Sequence, residues 1–156
     1  MEHSKAEPGS FDLRRRAGFF ALLSLTVSFP LLAQEAPGHS LDILERTFRE
    51  ENPSHIREIA EKGEKILMDS GSLGFPHGYY SVDQVCLVLQ STFRSRSTVQ
   101  FSFLKRASTP DQPSRVVAVG RWKFRSGQSR ETTAQIAFTL VRRNGGWTLK
   151  ELRDVP

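Results

Sequence analysis

The chain has 156 residues with a formal net charge of +5, and is 38% hydrophobic and 25% charged. That length suits one domain. Eleven Phe and two Trp are enough bulky apolar surface for one core, and a single Cys excludes an intrachain disulfide framework.

Residues 1–16 are polar and close on Arg14-Arg15-Arg16, and residues 17–33 carry no charge. A basic segment, an apolar run and a small residue at its end are the pattern of a secretory signal peptide. Ala33 is the expected residue before the cut, with Ala36 as the second candidate. The alternative is a retained N-terminal anchor. The run is short for a span of about 20 apolar residues, and Pro30 sits near its end, so no stable membrane span is expected after cleavage. Thirteen residues before the arginines make a long leader, consistent with a start codon further downstream. Residues 34–156 hold 18 basic and 14 acidic groups. This mild excess argues against nucleic acid as a partner and leaves an anionic envelope component as a candidate.

Residues 34–40 read as a linker, and 41–156 as the folded domain. Leu41, Ile43, Leu44, Thr47 and Phe48 recur at helical spacing behind Ser40, a candidate N-cap. Asn52-Pro53 stops that helix, and Ile56, Ile59 and Ala60 continue an apolar stripe as a second one. Lys65 to Asp69 reads as a strand, and Ser70 to Gly78 as a loop or loose hairpin arm. Ser81 with Gln84 forms a capping box for a third helix to Phe93. Cys86 falls in its apolar run and reads as a buried thiol.

Beyond Phe93 the period becomes two. Val99, Phe101 and Phe103, then Val116, Ala118, Trp122 and Phe124, then Ala134, Ile136, Phe138 and Leu140 are expected to face inward. Val117, Val119, Ala137 and Val141 are expected on the opposite face, with Arg121, Lys123, Arg125, Arg130, Arg142 and Arg143. Gly120 in mid-strand suggests a bend. Gly127 marks a hairpin, and Asn144-Gly145-Gly146 marks a tighter one. The order is α+β: three N-terminal helices packed on a strongly curved, mainly antiparallel sheet, a cone-shaped α+β barrel.

Tyr80-Ser81 with Gln84, Ala118-Val119-Gly120, Asn144-Gly145-Gly146-Trp147 and Leu152-Arg153 carry a resemblance. Across residues 41–155 the chain resembles the nuclear transport factor two-like superfamily, and in particular uncharacterised exported bacterial members of it. The resemblance implies a cone whose concave face is the place to look, and a domain that pairs with a second copy through its sheet. It implies no one activity, because the superfamily holds enzymes, transport factors and association domains.

Enzymes of this fold need acid–base groups pointing inward, and none of the expected inward residues ionises. The weak catalytic candidates lie near the rim: Asp69, His77, Tyr79 and Tyr80. Trp122, Phe101, Phe103 and Phe138 are the candidate contacts for a small apolar ligand. His39 and His55 fall in the linker and at a helix start, no residue set has metal-ligand spacing, and no cofactor is indicated. The expectation is a non-catalytic ligand-binding or protein-association module, the alternative a small-molecule lyase or isomerase at the open end of the cone. Export predicts a processed terminus: mass spectrometry of protein from its native envelope should find it near Gln34 or Pro37, and an intact Met1 on soluble cytoplasmic material would refute it.

Overall fold

A computed structural model describes residues 37–109, 111–128 and 130–156, which fall in one compact unit, Ala33–Pro156. The expected signal peptide, 1–33, and residues 34–36 of the expected linker lie outside the described residues. In chain order the elements are α1 (Gly38–Arg49), a 3₁₀ turn (Pro53–Glu58), β1 (Lys65–Ser70), a second 3₁₀ turn (Gly71–Leu73), β2 (Phe75–Ser81), α2 (Val82–Ser95), β3 (Ser97–Thr109), β4 (Gln112–Arg125), β5 (Glu131–Arg143) and β6 (Gly146–Asp154).

Helix α1 buries the stripe its spacing predicts, Leu41, Ile43, Leu44, Thr47 and Phe48. It begins inside the expected linker, so Ser40 is not its cap; the Ser40 hydroxyl donates instead to the Trp147 carbonyl of β6, at 2.8 Å. The expected second helix is only a 3₁₀ turn. Asn52 caps it by accepting from the Ser54 amide, and it runs six residues, about two turns at three residues each. The capping box at α2 is formed on both sides: the Ser81 hydroxyl accepts from the Gln84 amide at 3.3 Å, and the Gln84 carbonyl from the Ser81 amide at 2.9 Å.

Six strands form one mixed sheet in the order β2-β1-β6-β5-β4-β3. Every neighbouring pair is antiparallel except β1 with β6, which is parallel. Ser70–Gly78, read as a loop or a loose hairpin arm, supplies the start of β2, which forms an antiparallel hairpin with β1. The sheet is also open and not a closed barrel: β2 and β3 are its edges and do not pair, and α2 packs against both of them.

Both α-helices lie over one face, where Val116, Ala118, Trp122, Phe124, Ile136, Phe138, Leu140, Leu149 and Leu152 are buried. Val99 departs from the expected inward set. It is the extra residue of a bulge, because Thr98 pairs with Phe124 and Gln100 with Lys123, and it is exposed. Leu104 is thrown out by a second bulge in the same strand. Phe103 and Ala134 are half-buried. The β5–β6 hairpin turns on Asn144 and Gly145, both at positive φ (49° and 85°), the two-residue turn that such a twist favours. At the far end of β6, the Asp154 carboxylate accepts from the Ser70 hydroxyl at 2.6 Å and from the Ser72 amide at 3.0 Å. That contact ties the last strand to the turn after the first.

Gly120 has a packing reason more specific than a bend. A Cβ there would lie 2.5 Å from Phe101 Cζ and 3.2 Å from Phe138 Cε2, so two rings fill the place of its side chain. Gly120→Ala is therefore expected to destabilise the domain by about 1–3 kcal/mol through overpacking. Chemical denaturation checks this, and an unchanged midpoint would show that the rings move aside freely.

Candidate functional site

The four rim candidates do not converge on the helix-covered face. Register pairs Leu67 with Tyr79 and Ile66 with Tyr80. Ile66 and Met68 are buried under the helices, so Tyr79 and Asp69 point to the other, outer face, and Tyr80 points inward. The Asp69 carboxylate does meet His77, with Oδ2 3.4 Å from Nδ1, but their side chains are 59% and 71% exposed. Tyr79 stands beside them, 67% exposed. Tyr80 sets its ring edge-on against Phe75 and donates its hydroxyl to the Pro76 carbonyl at 3.0 Å. The structure thus brings Asp69 and His77 together, in solvent and on the face away from the core.

The expected ligand contacts lie on the helix-covered side, where they spend their surface on one another. Phe101 stacks on Phe48 with centroids 4.4 Å apart, and Trp122 and Phe138 meet the same ring edge-on. Phe103 packs edge-on to both Phe101 and Phe138. The Trp122 indole N–H donates to the Thr98 hydroxyl at 3.0 Å. Trp122 and Phe138 are fully buried and Phe101 nearly so, so these rings fill the core with one another. Phe48, named in the sequence only as part of a helical stripe, is their common neighbour. His55 lies between Glu50 and Glu58, at 2.8 and 3.2 Å, and bridges the end of α1 to the 3₁₀ turn. Among the described residues no group of three His, Cys, Asp or Glu side chains could hold a metal ion, and no helix is long and apolar enough to cross a membrane.

A groove of about 430 Å³ separates the first 3₁₀ turn from α2, lined by Pro53, Arg57, Asp83, Cys86 and Leu87 among others. Cys86 is 8% exposed, and its thiol donates to the Pro53 carbonyl at 3.2 Å. Burial pushes that thiol up from its ordinary pKa; the nearby Arg57 pulls it down, and Asp83 raises it further. Arg57 is itself raised, chiefly by its hydrogen bond to Asp83.

On the outer face, Arg115, Val117, Val119, Arg121, Lys123 and Arg125 of β4 lie beside Val141, Thr139, Ala137, Gln135, Thr133 and Glu131 of β5. Arg142 does not join them, because β5 alternates and Arg142 pairs with Trp147 on the inward side. Arg130 precedes the strand. Arg143 is outward, held by Glu64 at 3.1 Å. The outer face is therefore less uniformly basic than the sequence implied.

No protein-family model matches the sequence, and no curated protein matches it. Solved structures do. A DUF4783 family protein from Bacteroides ovatus is 12% identical with a TM-score of 0.59, over 78% of this chain and 94% of that one. An NTF2 protein described as having a long sheet is 12% identical at 0.60, over 77% and 100%. The chain has the nuclear transport factor two-like fold. A hypothetical protein from Catenulispora acidiphila with a ketosteroid isomerase-like fold, in complex with trimethylamine, is 9% identical at 0.59, over 78% and 87%. At these identities the likeness is one of fold.

For this nuclear transport factor two-like domain the Cys86 groove yields a pH prediction. The thiolate is the reactive form, so a raised pKa means slow alkylation near neutrality and a rise in rate shifted to higher pH than for a free cysteine. Arg57→Ala removes the nearby cation and is expected to shift the profile higher still. Iodoacetamide labelling across pH measures it, and a profile matching free cysteine would contradict the burial argument.

Proposed function

We propose that the domain is a non-catalytic association module, exported from the cell, whose working surface is the outer face of its sheet. The observation carrying this reading is the division of the two faces. The concave face is filled with packed rings, including every residue expected to hold an apolar ligand. The one carboxylate–imidazole pair among the acid–base candidates stands in open solvent on the other face. General acid–base chemistry needs its groups within hydrogen-bond reach of a bound substrate, whereas Asp69, His77 and Tyr79 stand exposed and Tyr80 is turned inward onto the Pro76 carbonyl.

The cone expected from the resemblance belongs to the same proposal. Bulges in β3, beside Val99 and Leu104, and in β6, opposite the Thr139–Leu140 step, bend a sheet towards its helices. They turn the outer face into a broad convex surface. Its middle is apolar or small: Val117, Val119 and Val141 are half-buried there and Ala137 is 4% exposed between its neighbours, with charge at the margins. An apolar middle ringed by polar groups is how protein contact surfaces are built.

The occupant we favour is a second copy of the chain. Sedimentation of the protein at micromolar concentration is expected to give a dimer that Val119→Asp dissociates. A monomer unaffected by that substitution would refute self-association and leave an anionic envelope component as the candidate partner.

A further inference from the structure

The charges of the outer face carry a second use for it, which rests on that face being the working surface and not on self-association. Strand β4 alternates strictly over its second half: Trp122 and Phe124 are buried, and Arg121, Lys123 and Arg125 point outward. At about 3.4 Å per residue, neighbouring cations in this row stand about 7 Å apart. Register sets neutral polar side chains on both sides of the first two. Arg121 lies between Ser102 of β3 and Gln135 of β5, and Lys123 lies between Gln100 and Thr133. Lys105, exposed and opposite Val119, extends the row at its other end.

Elsewhere on this face the sheet supplies its cations with carboxylates. Arg115 and Arg153 meet Glu151 at 3.4 and 3.8 Å, Arg125 meets Glu131 at 2.9 Å, and Arg143 meets Glu64 at 3.1 Å. Asp69 is taken by His77. Among the described residues Lys105, Arg121 and Lys123 enter no ion pair. Lys65 shares that condition, but it stands on β1, three strands from β4. Like charges on one side of one strand repel, and surfaces built for solubility mix the two signs. Strand β4 is also interior, so its cations are not the lysines that guard a free edge. The row is a positive track with one carboxylate, Glu131, beside it.

Such a track complements an extended polymer that carries anionic groups at short intervals. Its flanks choose among polymers. Single-stranded nucleic acid binds on aromatic platforms that stack its bases, and among the described residues no aromatic side chain lies on the outer side of β3, β4 or β5. Ser102, Gln100, Thr133 and Gln135 offer hydroxyls and amides, donors and acceptors together, which match the hydroxyls of sugars. We propose that Lys105, Arg121, Lys123 and Arg125 bind an acidic polysaccharide laid along β4. Its anionic groups meet the cations, and its hydroxyls meet the flanking polar side chains. Most of the track runs from Val119 towards the β4–β5 hairpin, so a polymer there leaves Val117 and Val141 uncovered.

Titration calorimetry of the protein with polygalacturonate at low salt tests the site, with circular dichroism confirming that each variant is folded. Arg121→Gln with Lys123→Gln is expected to weaken binding about tenfold or more and to flatten its dependence on salt. Lys62→Gln with Lys65→Gln removes the same charge from the β1 side of the sheet, and is expected to change binding by less than about twofold. Equal losses in the two double variants would mean that net charge alone governs binding, and would overturn the site. A wild-type protein that ignores polygalacturonate would overturn it too, as would tighter binding to oligodeoxythymidylate or to phosphatidylglycerol vesicles. Sedimentation reads self-association separately. A dimer that does not bind the polymer loses only this site, and a monomer that binds it through Arg121 and Lys123 keeps the site and loses the dimer.

Discussion

The ring of Phe48 holds the two layers of this domain together. It projects from the last turn of α1 and touches Phe93 of α2, Phe101 of β3, Trp122 of β4 and Phe138 of β5. One side chain thus joins both α-helices to three adjacent strands. Removing a fully buried Phe costs about 3–5 kcal/mol, a large share of the total stability of a domain this size. The absence of a side chain at Gly120 belongs to the same arrangement, because Phe101 can stack on Phe48 only if the strand beneath it offers no Cβ. The helix-covered face is therefore committed to structure, and that commitment moves the search for function to the other face.

The two free edges of the sheet are poor surfaces for adding a strand. On β3, the Glu51 carboxylate accepts from the Thr98 amide, and two bulges interrupt the ladder beyond it. Glu51 sits at positive φ, 53°, to make that contact. On β2, Pro76 supplies no donor and a register shift follows the Met68–Gly78 pair. Devices of this kind suppress edge-to-edge pairing. With the edges blunted and the helix-covered face filled, the outer face is the one that the proposed association would use.

What the sequence made legible is what local chemistry decides. Ser81 and Gln84 announced a helix start, Asn144-Gly145 a hairpin, and Trp122, Phe124, Ile136 and Phe138 their buried face by alternation alone. What it hid depends on register between distant segments. Strand β2 was obscured because Pro76, Gly78 and a bulge break its period. Val99 was misplaced for the same reason, since one extra residue turns a strand over. That Asp69 and His77 would meet could be suspected from their flanking one turn. That they would meet on the outer face required the pairing of β1 with β2 and with β6, which no local signal encodes. The role of Phe48 was equally invisible, because nothing in a helical stripe tells which of its members touches everything else.

The single parallel pairing in the sheet sets the order in which the domain can be completed. Strand β1 gains its second neighbour only from β6, through Leu67 with Glu151 and Met68 with Leu152, and the Ser70 hydroxyl waits for Asp154. A chain emerging from the ribosome can assemble the β3–β4–β5 meander from neighbours in sequence. The β1–β2 hairpin has no place in the sheet until the final strand has been made. Contacts between segments this far apart close late and slow folding, so the chain stays incompletely folded for most of its synthesis.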